Sequence, residues 1–234
     1  MRICILTTIK DERPYLDEWI SYHLGMGFSH IYMIEDLGSE PHDDIAARYG
    51  DSVSLWKADA LMGDGIAGIM RDKLTKRVNP QAAYFKRGLE RLRDEGAYDW
   101  CFILDADEFL TLEDPNIQLA DAMQIYKGHD ALVLSWKIYG ANGLIHKPDY
   151  SKKGVVDTFT EPSPSALNGP DPDKVNKKTA YNLRSFRSDF WHSVHLPSER
   201  CDYCNAELKR DRLSCVYKNM YIRHYMTKSW EEYV

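Results

Sequence analysis

The 234-residue chain has no Lys/Arg run longer than two residues, and its net charge is −6. That excludes nucleic acid as the main partner, because neutralising phosphates needs a basic face. A local basic pocket for one small phosphorylated ligand stays open. No segment approaches the ~18 consecutive apolar residues of a membrane span, which leaves only peripheral association with the inner membrane face. The opening "MRICILTTIKDERPYL" meets charge at Lys10 and lacks a small-residue cleavage site. It reads as a first core strand of a cytoplasmic protein rather than as a signal peptide. Cysteines number five, and Cys4 and Cys101 fall inside apolar runs, where reduced buried thiols are expected. "TTIKDERPYL" has no glycine, which excludes a glycine-rich phosphate loop after that strand. Internal repeats are absent.

What is present alternates. Arg2–Thr8 is a short apolar run with β-branched residues, the pattern of a buried strand. A helix follows, with Asp11 or Glu12 near its cap and Pro14 in its first turn. Leu16, Trp19, Ile20 and His23 or Leu24 recur at helical spacing, and Gly25 or Gly27 ends it. His30–Asp36 and "SVSLWKA" read as strands, Gln81–Glu95 as a helix and Trp100–Leu104 as a strand. Ile117–Ile125 then reads as a helix and Ala131–Trp136 as a strand. This order predicts an α/β sandwich with a mainly parallel sheet. From Lys147 to Lys178 the pattern dissolves into Pro, Asp, Lys and Ser, the composition of a functional lid or flexible loop. Strand-like alternation resumes at "TAYNLRSF", and "NMYIRHYMTKSWEEYV" gives a strand and a helix start. A helix that stops so soon reads as a truncated end.

Acids gather where strands finish: Asp11/Glu12, Glu35/Asp36, and Asp105/Asp107/Glu108 in "FILDADEFL". Ligands of open α/β sheets sit beyond the carboxyl ends of the strands. Crowded carboxylates are costly unless a cation or hydrogen-bond donors compensate. Carboxylates two residues apart can offer two oxygens to one Mg²⁺ or Mn²⁺. The plain alternative is a solvated strand end.

Five segments, in order, resemble GT-A fold glycosyltransferases of the family 2-like and family 92-like branch. They are "KDERPYLDEWISYHLGMG", the second strand ending in Asp36, "FILDADEFL", "SWKIYGANG" and "IRHYMTKSWEEY". Together they cover Thr7 to Tyr233. The resemblance implies a single GT-A type, Rossmann-like α/β/α sandwich over residues 1–234. It would have a mostly parallel central sheet, a nucleotide-sugar donor half at 1–110 and an acceptor half at 111–234. The 147–178 segment would be an acceptor-side loop insertion.

The implied activity is metal-dependent transfer of a sugar from a nucleotide diphosphate donor to a glycan or lipid-linked acceptor. UDP-linked donors and inversion are the expectation. By the same resemblance Asp105, Asp107 and His224 are the Mn²⁺ or Mg²⁺ residues. Asp107 is then the direct ligand, and Asp105 meets metal-bound water or the ribose. Thr8, Glu12 and Asp36 face the nucleotide, and Lys228 meets the diphosphate. The family usually has Asn where this chain has Asp11. His224 has a second reading, a half-buried strand histidine with no metal role. Trp136 and Tyr139, with Gly140 and Gly143, are candidates for a sugar-packing wall, and Trp136 is equally a core residue. For the general base, Asp157, Glu161, Asp189, Glu199 and Glu108 stay open.

His192, His195, Cys201, Cys204 and Cys215 form a cluster in sequence, but its spacing matches no ordinary zinc ribbon or finger. His195 is also a candidate for the active-site lining. Two other enzyme classes use an acidic pair after an apolar strand. A haloacid-dehalogenase-type phosphohydrolase wants Thr or Val two places after the second Asp, where Phe109 stands. A nucleotidyltransferase wants the glycine-rich loop that is missing. A zinc-stabilised binding module would leave the strand-end acids unexplained.

Overall fold

The computed structural model describes residues 1–63, 80–163, 177–206 and 218–233. Strands β1 (Ile3–Ile9), β2 (His30–Glu35), β3 (Val53–Lys57) and β4 (Trp100–Ile103) lie parallel in the order β3-β2-β1-β4. Helix α1 (Arg13–Met26) joins β1 to β2, the short helices α2 (Asp43–Arg48) and α3 (Ala58–Met62) flank β3, and α4 (Pro80–Glu95) precedes β4. Side chains of β1 alternate between two cores, as a strand of period two must. Ile3, Ile5 and Ile9 pack with Leu16, Trp19 and Ile20 of α1, while Cys4 and Leu6 pack with Phe85, Leu89 and Leu92 of α4. The helices therefore cover opposite faces of a sandwich.

Local chemistry sets the helix ends. Proline occupies the first turn of α1, where its missing N–H costs nothing. Gly27, at φ 109°, closes α1 in the left-handed region that glycine enters freely. In α4, a Cβ at Gly88 would lie 2.7 Å from Leu6 Cδ2, so the helix lies closer to β1 than a larger residue would allow.

The second half is built differently. It holds β5 (Glu108–Leu112), β6 (Ala131–Ile138), β7 (Lys177–Asn182), β8 (Tyr203–Asn205) and β9 (Met220–His224). β7 runs antiparallel between β4 and β6. β9 pairs parallel with the end of β6 and antiparallel with β5. Because β6 bonds β7 through Ser135 and β9 from Trp136 onward, the sheet curls about this strand. Five of the pairings among the described residues are parallel and three antiparallel, so the sheet is mostly parallel, as expected.

Two expectations change. The helix over Ile117–Ile125 is a single turn, α5 (Leu119–Ala122), followed by a 3₁₀ turn at Met123–Tyr126. The 147–178 segment is not one unbroken loop. It contains α6 (Val155–Thr158), with Val155 and Phe159 fully buried. The Glu18 carboxylate on α1 accepts the N–H groups of Val155 and Val156 at 2.6 and 3.1 Å, which docks this stretch. Its last two residues, Lys177 and Lys178, already belong to β7. Residues 164–176 of the expected lid lie outside the described residues. Among the described residues no helix is long and apolar enough to cross a membrane.

Candidate active site

A cavity of about 520 Å³ opens beyond the carboxyl ends of β1, β2 and β4. Thr8, Glu12, Asp36, Asp105, Asp107 and His224 all line it, together with Lys10, Gln81 and Tyr84. Six of the seven residues singled out for donor and metal thus face one space. The seventh, Lys228, reaches it through Asp107 at 3.9 Å.

Asp105 and Asp107 occupy the turn between β4 and β5, and reciprocal bonds fix that turn. The Glu108 N–H donates to the Asp105 carbonyl at 3.0 Å, and the Asp105 N–H donates to Glu108 Oε2 at 2.9 Å. The N–H of Tyr225 donates to the Asp107 carbonyl at 3.0 Å. His224 arrives because β9 pairs with β5, in a register that puts it opposite Glu108.

The two aspartates have different partners. Lys178 Nζ lies 2.6 Å from Asp105 Oδ2, and the Gln81 amide donates to Asp105 Oδ1 at 3.1 Å and to Thr8 Oγ1 at 2.7 Å. Asp107 faces His224 Nε2 at 3.5 Å and Lys228 Nζ. Burial opposes ionisation of Asp107, but His224, Lys228 and Lys178 outweigh it and hold its carboxyl at about 2. For His224, burial disfavours the charged ring, yet Asp107 overcomes this and raises its pKa. Glu108 is fully buried, and burial outweighs nearby Lys178 to push its carboxyl up to about 8. Burial likewise lifts Glu12 to about 8, with Asp107 and Asp105 adding repulsion, although its Oε2 accepts the Lys10 N–H.

Two backbone positions at the cavity edge are left-handed without being glycine. Asp11 has φ 62°, a conformation that Asn and Asp tolerate best. The family's usual Asn and this chain's Asp therefore meet the same demand. Lys228 has φ 42°, which for a lysine stores about 1–3 kcal/mol. Its ammonium sits 4.3 Å over the Tyr15 ring, so packing from α1 holds the strained residue in place.

As a hard-cation site, Asp107 and His224 fit two positions. Asp107 stays ionised and His224 already presents Nε2 beside it at 3.5 Å, with Nδ1 buried and unbonded, so a cation at Asp107 would meet Nε2 once its proton is lost. Among the described residues no three carboxylate, imidazole or thiol groups converge on one point, and Asp105 is engaged by Lys178 and Gln81. Mg²⁺-type ions commonly take one or two protein carboxylates and complete their shell with phosphate and water oxygens.

Sequence reading missed Lys178. It closes a polar tract and looks like a loop residue, yet it is 1% exposed and lies 3.7 Å from Glu108 as well as against Asp105. The strand-like alternation resuming at Thr179 was the available signal. Trp136 and Tyr139 are buried, and Trp136 packs edge-on to His224 at 4.2 Å. His195 joins the periphery: its Nδ1 bonds the Lys177 carbonyl at 2.8 Å, and its ring lies 5.4 Å from Trp136. Among the described residues the cysteine cluster does not assemble. Cys201 belongs to the core under α4 and Cys204 to the core under α1, and His192 is exposed. Cys215 lies outside the described residues. Among the open general-base candidates, Asp189 is paired with Arg187 and Arg200, and none of Asp157, Glu161, Asp189 and Glu199 lines the cavity.

Comparison with known proteins bears on this geometry. The chain is 30% identical over 163 residues to a glycosyltransferase family 92 protein of Ricinus communis. The chain resembles a glycosyltransferase. That match takes in 68% of this chain and 26% of the Ricinus protein, so the chain spans about a quarter of that relative's length. No family model matches the chain. Among solved structures, S. aureus TarS (residues 1–349) is 12% identical, with 97% of this chain and 61% of that one covered and a TM-score of 0.47. HddC from Yersinia pseudotuberculosis is 9% identical, covers 100% of this chain and 96% of its own, and also has a TM-score of 0.47. Likenesses this distant carry no residue roles.

Proposed function

We propose that the 520 Å³ cavity is the donor site of a metal-dependent glycosyltransferase. The donor is a nucleotide diphosphate sugar, UDP-linked, and the sugar passes with inversion to a glycan or lipid-linked acceptor. What carries the reading is one juxtaposition: Asp107, kept ionised between His224 and Lys228, shares a cavity with Thr8 and Asp36 at the ends of β1 and β2.

Asp107 and His224 would hold Mn²⁺ or Mg²⁺, which when bound neutralises the charge developing on the leaving diphosphate. Lys228 supplies a further cation for that diphosphate. Thr8, Glu12 and Asp36 take the base and ribose. Asp105, pinned by Lys178 and Gln81, keeps a fixed acceptor beside Thr8 for the ribose or for metal-bound water. Acceptor activation is left unassigned.

The test is thermal unfolding with UDP, GDP, CDP or ADP, each with and without Mn²⁺. A ligand that binds only the folded state, at about 100 times its Kd, adds about 2.7 kcal/mol. One nucleotide is expected to raise the melting temperature only with metal, and Asp107→Ala to erase that rise while the apo protein still folds. If no nucleoside diphosphate stabilises the protein with Mn²⁺, or if Asp107→Ala responds as wild type does, the donor-site reading fails.

A further inference from the structure

A second cavity, of about 330 Å³, lies where the C-terminal end of α1 meets β5 and β9. Tyr22, Thr111, Gln118 and Arg223 supply its polar lining. It is separate from the donor cavity because β9 alternates: His224 lines one and Arg223 the other. Arg223 sits opposite Lys137 in the β6–β9 register, so two cations are neighbours on adjacent strands. Among the described residues neither has a carboxylate partner. Their neighbours are phenols: Arg223 lies 5.9 Å from the Tyr139 ring centre, and Lys137 Nζ lies 5.5 Å from that of Tyr221.

The Nε of Arg223 and the Oγ1 of Thr111 are buried here without an aligned hydrogen bond, and the polar groups beside them are the hydroxyls of Tyr225 and Tyr22. Thr111 is only 8% exposed and lines the cavity. The neighbouring Tyr22 hydroxyl is already committed, donating to the Leu110 carbonyl at 2.8 Å. A half-buried guanidinium with no carboxylate partner among the described residues, beside the Thr111 hydroxyl in a chain of net charge −6, favours oxygen-rich anions. The nearest loop acids do not compete, since Glu113 and Asp114 are exposed and do not line the cavity. The C-terminal end of α1 carries partial negative charge, which disfavours an anion. The N–H groups of Gly27 and Phe28 already cap the Leu24 and His23 carbonyls there, which reduces that penalty.

We propose that this cavity binds an oxyanion, a carboxylate or phosphate carried on a sugar-sized molecule. Arg223, Thr111 and Gln118 hold the anion and Tyr22 flanks the ring. A cavity of this volume suits a small molecule. The inference does not rest on the donor-site reading.

The test omits nucleotide and metal. Glucuronate, glucose 6-phosphate, inorganic phosphate and glucose are titrated by calorimetry into the folded chain. At least one of the two sugar acids is expected to bind at least ten times more tightly than glucose. Arg223→Gln should weaken that binding at least tenfold, and Arg223→Lys, which keeps the charge and loses the fork, should fall between. Should Arg223→Gln not fold by circular dichroism, Gln118→Leu, an exposed loop position, takes its place with a several-fold loss expected. Equal binding of glucose and glucuronate overturns the proposal, as does sugar-acid binding unchanged in the folded variant. Binding of inorganic phosphate with neither sugar acid bound overturns it too.

Discussion

Lys57 on β3 and Lys178 on β7 are both strand lysines that meet a glutamate, yet their surroundings differ. Lys57 is 40% exposed and bridges Glu35 at 2.7 Å and Asp43 at 2.8 Å at the rim of the parallel half. Lys178 is 1% exposed and sits between Asp105 and Glu108 at the centre of the sheet, where antiparallel β7 has been inserted beside β4. The parallel half keeps its charges at strand ends, where Lys57 and Asp43 reach water although Glu35 is only 10% exposed. The mixed half carries charge into the core, and it does so beneath the cavity. An isolated buried ammonium would be prohibitively costly, so Lys178, the Asp105 carboxylate and the Glu108 carboxyl form one unit that cannot be dissected without loss.

The largest effect should come from breaking that unit. Lys178→Met leaves Asp105 and Glu108 without their cation, and removing one partner of a buried pair costs about 3–5 kcal/mol. Urea unfolding measures it. Adding Asp105→Asn to Lys178→Met should return part of the loss, because the stranded carboxylate, 2.6 Å from the lysine in the wild type, is then neutral, whereas burial already pushes the Glu108 carboxyl up to about 8. A loss below about 1 kcal/mol for Lys178→Met would mean that the lysine is solvated and the contrast between the halves is false.

Dependence on pH sets two fully buried groups, His23 and Glu108, against each other by sign. His23 on α1 is fully buried, and burial pushes its pKa down to about 3, although Nδ1 bonds the Trp19 carbonyl at 2.8 Å. The unfolded chain takes up that proton near 6.5, so it binds more protons than the folded state as pH falls below 6.5. Stability is therefore lost over that window, by about 2 kcal/mol at pH 5. Glu108 acts in the opposite direction. Its folded-state pKa of about 8 lies above the ordinary 4.5, so stability falls as pH rises between those values. Unfolding at pH 5 and pH 7 should show the His23 share shrink in His23→Gln and the Glu108 share vanish in Glu108→Gln. Parallel pH profiles for wild type and both variants would sink both assignments.

The same contrast explains what could be read from the residues alone. In the parallel half, strands are apolar runs joined by amphipathic helices, and Pro14 and Gly27 mark the ends of α1. All of that is local information. Acids at the ends of β1, β2 and β4 reach one cavity because parallel strands finish on the same side. In the mixed half, β5 was hidden because "DEFL" reads as the tail of a strand rather than as a new one. β7 was legible from Thr179 onward, and only its first two residues were hidden because they are lysines. What makes Lys177 and Lys178 strand residues is pairing with β6, residues 131–135, and burial against carboxylates from β4–β5, which no local pattern displays. His224 was named from the resemblance, but its contact with Asp107 depends on the β5–β9 register. The cysteine cluster failed for the same reason: Cys201 and Cys204 are near in sequence and fall on opposite sides of the sheet.

The smallest predicted effect is the one that gives the comparison its scale. Lys57→Met removes a cation with two carboxylate partners, as Lys178→Met does, so a count of ion pairs would expect similar losses. Exposure argues otherwise. When Lys57 is removed, Asp43 returns to water, and the 10%-exposed Glu35 keeps the His42 N–H at 2.9 Å, so one carboxylate is left partly satisfied and none is stranded in the core. Exposed pairs contribute about 0.2–1 kcal/mol, and the urea midpoint should barely move. Added salt should shrink even that difference, since it screens a rim charge far more than a buried one. A loss at Lys57 that matched the loss at Lys178 and ignored salt would show that Glu35, rather than solvent access, governs the rim. The two halves would then handle charge alike.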